Sequence, residues 1–348
     1  MKYVSMVAGL LLAGSSIAAQ AQDISVRLSG GQPTSIGATS AGHLAEIAAE
    51  KGIATIQVQN GLVLTKSIQE VADGSIDMTV SPFALPFLMS KGLGPYQPLG
   101  AEGGAELASN LRIIYPFHIA SFYLKSYASS SVRSYADLEG KSIHNGPPGG
   151  GALVMARQML QAVTGLEEGK GYVGKQVDWS QQTSVMLDGS VDAQLIPGAN
   201  PDSNIPVLAA AGKVQIISVP KDIFEGEAFQ RLTKTPGRVA VIWKVNDFAH
   251  YGDTVEVISE DDTFRTAGEA GGIFVHKNMD EALVKKMVSA FLDTLPDLYR
   301  KVPYARTQNA GLIDESIMGM CRAKLKLHPG AVEAYEEAGY TVEDCQKP

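Results

Sequence analysis

Residues 145–152 read NGPPGGGA and lead into the apolar-periodic run ALVMARQMLQAV. Glycine leaves the backbone free for conformations other residues resist, and Pro147 and Pro148 stiffen the approach. The spacing predicts a helix over residues 152–163, stopped by Gly165. The first amides of a helix lack acceptors inside it, and the dipole adds positive potential there. Gly149, Gly150, Gly151 and Ala152, approached through Pro148, are therefore candidate backbone donors to a carboxylate, with no Arg or Lys required. The same pattern also fits a strand-to-helix turn that binds nothing.

Covalent and metal chemistry find little support. The six histidines (His43, His118, His144, His250, His276 and His328) include no pair at i, i+4, and neither HExxH nor CxxC occurs. No G-x-S-x-G elbow is present. Gly140-Lys141-Ser142 imitates the end of a phosphate loop, but Tyr135 stands where its first glycine belongs, and a strand follows instead of a helix. The acid pairs Glu167-Glu168 and Asp261-Asp262 sit in loop-like stretches and read as solvated charges. No catalytic residue, metal ligand or cofactor is assigned, and the chain is expected not to be an enzyme.

The elements that would position the glycines come in two series. ISVRLSGG, SAGHLAEIAAEKG, IATIQVQNG, LVLTKSIQEVADGSID and MTVSPF alternate strand and helix, the rhythm of a parallel sheet covered by helices. Ligands of such open sheets sit beyond the carboxyl ends of the strands. One end is Gly31, Gln32, Pro33, Thr34 and Ser35, expected to form a facing wall, and another is Ser81 with Phe83. LRIIYPFHIASFYLK reads as a long crossing strand, on which Tyr115 and His118 are expected to be packed. A second series follows, with a capping box at Ser134 and Asp137, the glycine loop, and the strands VDAQLIPG and VQIISVP. Gly198 and Asn200 end the first of these near the same cleft, and Arg157 is expected to face solvent. Near the end, Asn278 and Glu281 stand at capping-box spacing, and a last helix starts near Pro329 and stops at Gly339.

Composition and charge exclude other classes. The chain has 348 residues, 45% of them hydrophobic, and a formal net charge of −8. With that balance and no Lys/Arg block, nucleic acid is not an expected partner. The start, MKYVSMVAGLLLAGSSIAAQA, reads as a cleaved signal peptide over residues 1–21, with Lys2 as its charged region and Ala19-Gln20-Ala21 as its cleavage site. Its apolar run is short for a membrane span, and no Cys follows it to carry a lipid. Cys321 and Cys345 are the two cysteines, and export makes a disulfide between them an expectation beside two free thiols.

SYADLEGKSIHNGPPGGGALVMARQML resembles the D-L-x-G-K-x-(V/I)-x-x-G-P-P-G-S-G-T segment of the TAXI family, the extracytoplasmic solute receptors of tripartite ATP-independent periplasmic (TRAP) transporters. VDAQLIPGANPDSNIPVLA, DGSIDMTVSPFA and LHPGAVEAYEEAGY are similar to further family segments, in the same order along the chain. The resemblance implies an α/β, two-lobed periplasmic-binding-protein-like fold of type II with an interlobe cleft. Lobe 1 would comprise residues 22–122 and 262–348, and lobe 2 residues 123–261.

The resemblance also implies a monomeric periplasmic receptor that hands a small organic anion, an amino acid or a mono- or dicarboxylate, to TRAP membrane subunits. A receptor feeding a sensor kinase is the alternative, and a hydrolase or transferase on the same fold a more distant one. The chain departs from the family where GGQPTSIG replaces a G-G-T-G-G-T-Y-Y loop, and where Gly150 and Ala152 replace Ser and Thr. Loss of those hydroxyls leaves mainly backbone donors, so a smaller or more apolar acid is expected as readily as a glutamate-type cargo.

Overall fold

A computed structural model of the protein describes residues 24–33 and 35–348. The expected signal peptide and Thr34 lie outside the described residues.

The first series folds as β1 (Ser25–Gly31), α1 (Ile36–Glu50), β2 (Thr55–Asn60), α2 (Leu64–Ala72), β3 (Met78–Pro82), α3 (Ala84–Ser90) and α4 (Gly100–Ala108). β1 pairs in parallel with both β2 and β3, as the strand–helix alternation predicts. β4 (Leu111–Tyr127) then crosses to the second series as one 17-residue strand. That series comprises β5 (Ser142–His144), α5 (Gly151–Thr164), β6 (Val173–Lys175), β7 (Ala193–Gly198), β8 (Val214–Ile217), β9 (Arg238–Lys244) and β10 (Val255–Ile258). β11 (Thr263–His276) crosses back, and the remaining helices, including Glu281–Asp293 and Pro329–Glu337, pack on the first half.

The main strand order is β2-β1-β3-β11-β4-β7-β5-β6. β11 runs antiparallel to β4 over Ala267–His276, so two adjacent strands join the halves. Their approach is close: a Cβ at Gly272 would lie 2.6 Å from the Tyr115 carbonyl oxygen, and one at Gly268 2.7 Å from that of Ala120. Side chains there would force the strands apart.

Two separate apolar cores follow from this layout. One packs Leu28, Ile68, Phe83, Phe117 and Phe274 with the C-terminal helices around Phe291 and Tyr335. The other packs Phe122, Leu138, Met155, Leu160 and Phe229. The two lobes therefore each have their own interior, with β4 and β11 running between them.

The helix after Gly151 ends at a left-handed Gly165, as expected, and Ser134 and Asp137 form their capping box. The cap of helix Glu281–Asp293 differs from expectation. Asp280 accepts from the Leu283 amide at 2.7 Å, whereas Asn278 donates its own amide to His276 Nδ1 at 3.2 Å. An acid two residues nearer the helix reaches the free amide first. Cys321 and Cys345 form a disulfide that ties the C-terminal tail to residue 321.

Candidate ligand-binding site

β1 ends at Gly31, which takes φ +75°, and turns directly into α1. Ser35 caps this helix: its Oγ accepts from the Ala38 amide at 3.1 Å and donates to the Gln32 carbonyl at 2.6 Å. Ile36 and Gly37 are left as first-turn amides at the end of β1. In the other lobe the chain leaves β5, passes Gly146 at φ +110° and Gly149 at φ +74°, and enters α5 at Gly151. Gly150 caps α5 with an extended backbone and no side chain, so the amides of Gly151, Ala152 and Leu153 keep their donors. Two helices of 15 and 14 residues thus begin at one cleft, from opposite lobes.

Between them lies a void that is partly open to solvent. Gly31, Gln32, Ser35, Gly150, Gly151 and Ala152 border it, so the structure brings together these members of the expected set. Gly198 borders an adjoining recess of about 330 Å³, which shares Gln32 and Ser35 with the main void. Gln32 also spans the cleft, its Nε2 donating to Gln182 Oε1 at 3.1 Å.

Other expected positions do not reach the void. Pro33, Pro148 and Gly149 are exposed and absent from its wall, where Pro147 stands instead. Ser81 is fully buried and donates to the Pro82 carbonyl at 3.1 Å. Phe83 is likewise buried, edge-on to Phe274. The reason is the pleat. Successive strand side chains alternate faces, and here Val80 and Pro82 take the cleft side. Asn200 turns its Nδ2 to the Asp247 carbonyl at 3.1 Å and is 4% exposed. Tyr115 and His118 are packed as expected, with Tyr115 against Phe291 and His118 Nε2 3.2 Å from the Ile317 carbonyl.

The remaining wall was not foreseen. Leu62, Val63 and Leu64 come from the β2–α2 junction, and Leu85 from α3. Ile119, Ala120 and Phe122 come from β4, and Trp179 and Pro197 from the second lobe. These are apolar, so the cleft combines two amide-rich helix ends with a greasy surround. The wall also holds an acid, Glu269 of β11.

Residues 100–339 match the model of the NMT1-like family, well over half of the chain. The chain belongs to the NMT1-like family. Among solved structures it is similar to a periplasmic sulfonate-binding protein, SsuA, from Methylobacillus flagellatus, at 14% identity and a TM-score of 0.50, over 92% of this chain and 98% of that one. It is also similar to the aliphatic sulphonate-binding protein SsuA of Escherichia coli (14% identity, TM-score 0.45, 90% and 83% covered). A third similar structure is a TRAP periplasmic solute-binding protein of Desulfovibrio salexigens in complex with diglycerolphosphate (12% identity, TM-score 0.45, 94% and 93% covered). This NMT1-like chain therefore has the two-lobed α/β fold of periplasmic binding proteins. Among its described residues no helix is long and apolar enough to cross a membrane.

Buried charges surround the cleft of the NMT1-like protein in compensated form. Lys125 is fully buried, and its Nζ lies 3.1 Å from Asp202 Oδ2, which also accepts from Tyr123 OH at 3.1 Å. Asp202 borders the smaller recess. Arg238 Nη1 lies 2.8 Å from Glu269 Oε1, with both side chains buried. Burial lowers the Arg238 pKa and raises that of Glu269, each against the pull of the partner's charge. His144, behind the glycine loop, is pushed down to about 4 by burial and then by the nearby Lys125, so it is neutral at ordinary pH.

The acid pair of residues 167 and 168 splits. Glu167 is a surface partner of Lys170, whereas Glu168 is three-quarters buried or more and binds Arg157 through both oxygens, at 2.9 and 2.6 Å. Glu168 also accepts from Asn145 Nδ2 at 2.7 Å. The solvated reading of Glu168 is thus corrected: it fastens the start of the glycine loop to α5. Arg157 is half exposed but held by that pair.

Proposed function

We propose that this chain is an extracytoplasmic solute-binding receptor that closes its two lobes on a small organic anion and releases it unchanged. The observation that carries this reading is the convergence of two helix N-termini on one void between the lobes. Each contributes unsatisfied amides and a positive dipole end, and desolvation inside the closed cleft strengthens both. The apolar wall supports an amphipathic cargo: one anionic head at the amides, and an apolar body against Leu62, Leu85, Phe122 and Trp179. A monocarboxylate or an amino acid with an apolar side chain fits that division better than a dicarboxylate.

Delivery would be to the membrane subunits of a TRAP-type secondary transporter, as the TAXI resemblance implies, with the chain exported to the periplasm as a monomer. Binding would shift an open–closed equilibrium about the β4–β11 crossing.

The test is a thermal-shift screen of ligand-free protein against amino acids and mono- and dicarboxylates, followed by calorimetry and product analysis. A cargo at about 100 times its Kd stabilises the native state by about 2.7 kcal/mol. The reading requires such a shift with an organic anion, and the anion recovered chemically intact. Turnover of the anion, or a preference for cations or neutral sugars, would overturn it.

A further inference from the structure

Glu269 is out of place in a cleft built for an anion. It is 4% exposed, lies on the crossing strand β11, and borders the same void as the two helix N-termini. A carboxylate there repels an anionic cargo unless something offsets it. Arg238 offsets the charge in part, through the ion pair at 2.8 Å to one carboxylate oxygen. That contact is not an aligned hydrogen bond, since Nε and Nη1 of Arg238 have no acceptor, while Nη2 is turned to Gln158 Oε1 at 3.2 Å. Among the described residues no hydrogen bond reaches the Glu269 carboxylate, although its backbone is paired in the sheet. An ionised carboxylate offers about four acceptor sites, and Glu269 carries them at the border of the void. The immediate neighbours of Glu269 along the strand, Gly268, Ala270, Gly271 and Gly272, carry no donor side chain.

We propose that Glu269 is a ligand-binding residue that accepts a hydrogen bond from the cargo itself, so that the cargo is an organic anion bearing an N–H or O–H donor, an amino acid or hydroxy acid rather than a plain fatty or keto acid. This rests on the organic-anion reading above and narrows its substrate class. The division of labour is simple. The helix ends hold the anionic head, the apolar wall holds the body, and Glu269 distinguishes a donor-bearing molecule from its bare counterpart. The Arg238 charge 2.8 Å away favours the ionised form of Glu269 against the opposing effect of burial. Discrimination of this kind is strong because a cargo without the donor displaces water from the carboxylate and gives it no hydrogen bond in return.

The test uses matched acids on two skeletons: leucine, 2-hydroxy-4-methylpentanoate and 4-methylpentanoate, and phenylalanine, 3-phenyllactate and 3-phenylpropanoate. On at least one skeleton, the amino or hydroxy acid should bind the native protein at least tenfold more tightly than the bare acid, by calorimetry. In the double variant Arg238→Met with Glu269→Met, which removes both buried charges together, the gap should fall below threefold while the bare acid still binds. Equal affinity for all three members of the binding series overturns this assignment and leaves the anion reading standing. Retention of the tenfold gap in the double variant overturns it as well. Binding of none of the six acids overturns both. The native comparison alone decides the matter if the variant fails to fold.

Discussion

Gln32 Nε2 and Gln182 Oε1 meet at 3.1 Å across the cleft, joining the α1 end of one lobe to the second lobe by a direct hydrogen bond. Gln182 is held in turn, since its carbonyl accepts from Gln194 Nε2, and Gln194 Nε2 lies 3.4 Å from His144 Nδ1. On the proposed closure, such a contact forms only when the lobes come together. Replacing Gln32 by Ala should therefore weaken cargo binding by about fivefold, the equivalent of about 1 kcal/mol for one net hydrogen bond. The melting temperature of the ligand-free protein should barely move. Small-angle scattering should show the variant more open when ligand-free; an unchanged affinity would mean the pair adds nothing to closure.

Gly151→Pro isolates the amide contribution. Gly151 is the first helical residue, where proline's fixed φ is tolerated, and Gly150 at ψ 159° suits a residue before proline. The variant loses one donor at the helix mouth, and a Cβ at this position already lies 3.3 Å from Leu85 Cδ2. Affinity for the anion should fall at least tenfold, with the melting temperature changed by only about 2–4 °C, roughly 1 kcal/mol for a chain of this size or less. Wild-type affinity in calorimetry would remove the α5 amides from the site.

The two helix mouths were legible in the sequence because glycine and helical periodicity carry them directly, at Gly31 and Gly150–Ala152. Ser81 and Phe83 were misplaced for a different reason. The end of β3 could be read, but which side chains face the cleft depends on strand parity against partners far along the chain. In this strand all five residues are buried, so no polar alternation marks the faces. Glu269 left a readable signal, a lone acid among small residues in a run otherwise free of charge from 266 to 275. Its role depends on Arg238, thirty-one positions earlier, brought opposite it by β9–β11 pairing. Trp179 opens a three-residue 3-10 turn, Trp179–Gln181, too short to set a period that predicts its direction.

Glu168 should matter for both stability and binding, because it joins Asn145 before the loop to Arg157 in α5. Its pKa is lowered, first by the Arg157 hydrogen bond, against an opposing contribution from burial. A depressed folded-state pKa means the stabilisation is complete above the ordinary glutamate value and is lost as pH falls through the depressed one. Glu168→Gln should cost about 1–2 kcal/mol at pH 7 in urea unfolding. That gap should close on acidification through the depressed value of the native carboxyl, below the ordinary glutamate range. A gap independent of pH would show that packing, not charge, accounts for the loss.

The Cys321–Cys345 disulfide spans 24 residues, for which loop-entropy reasoning gives roughly 3 kcal/mol. Replacing both cysteines by Ser should lower the melting temperature measurably. Neither cysteine borders the void, so cargo affinity in the folded variant should match that of the native protein. A parallel loss of affinity would mean that the tail reaches the cleft through the C-terminal helices.

Lys125 offers the sharpest test of how the cleft tolerates its acids. Its side chain is fully buried, and its ammonium is the cation paired with Asp202. Asp202 also accepts from the Asn204 amide at 2.9 Å and from Tyr123 OH, so its carboxylate is anchored with or without the lysine. Lys125→Met would leave that charge buried and uncompensated, at a cost of about 3–5 kcal/mol. Adding Asp202→Asn should recover much of the loss, since the amide oxygen still accepts from Asn204 while the amide nitrogen can donate to the Tyr123 hydroxyl, which itself donates to the Ala199 carbonyl. Because Asp202 borders the recess that adjoins the void, the single variant should also bind anions more weakly at low salt, and the double variant should regain that affinity. If the single variant were as stable as the native protein and bound anions as tightly, Lys125 would not be the compensating charge, and the cleft's tolerance of Asp202 would rest on its hydrogen bonds.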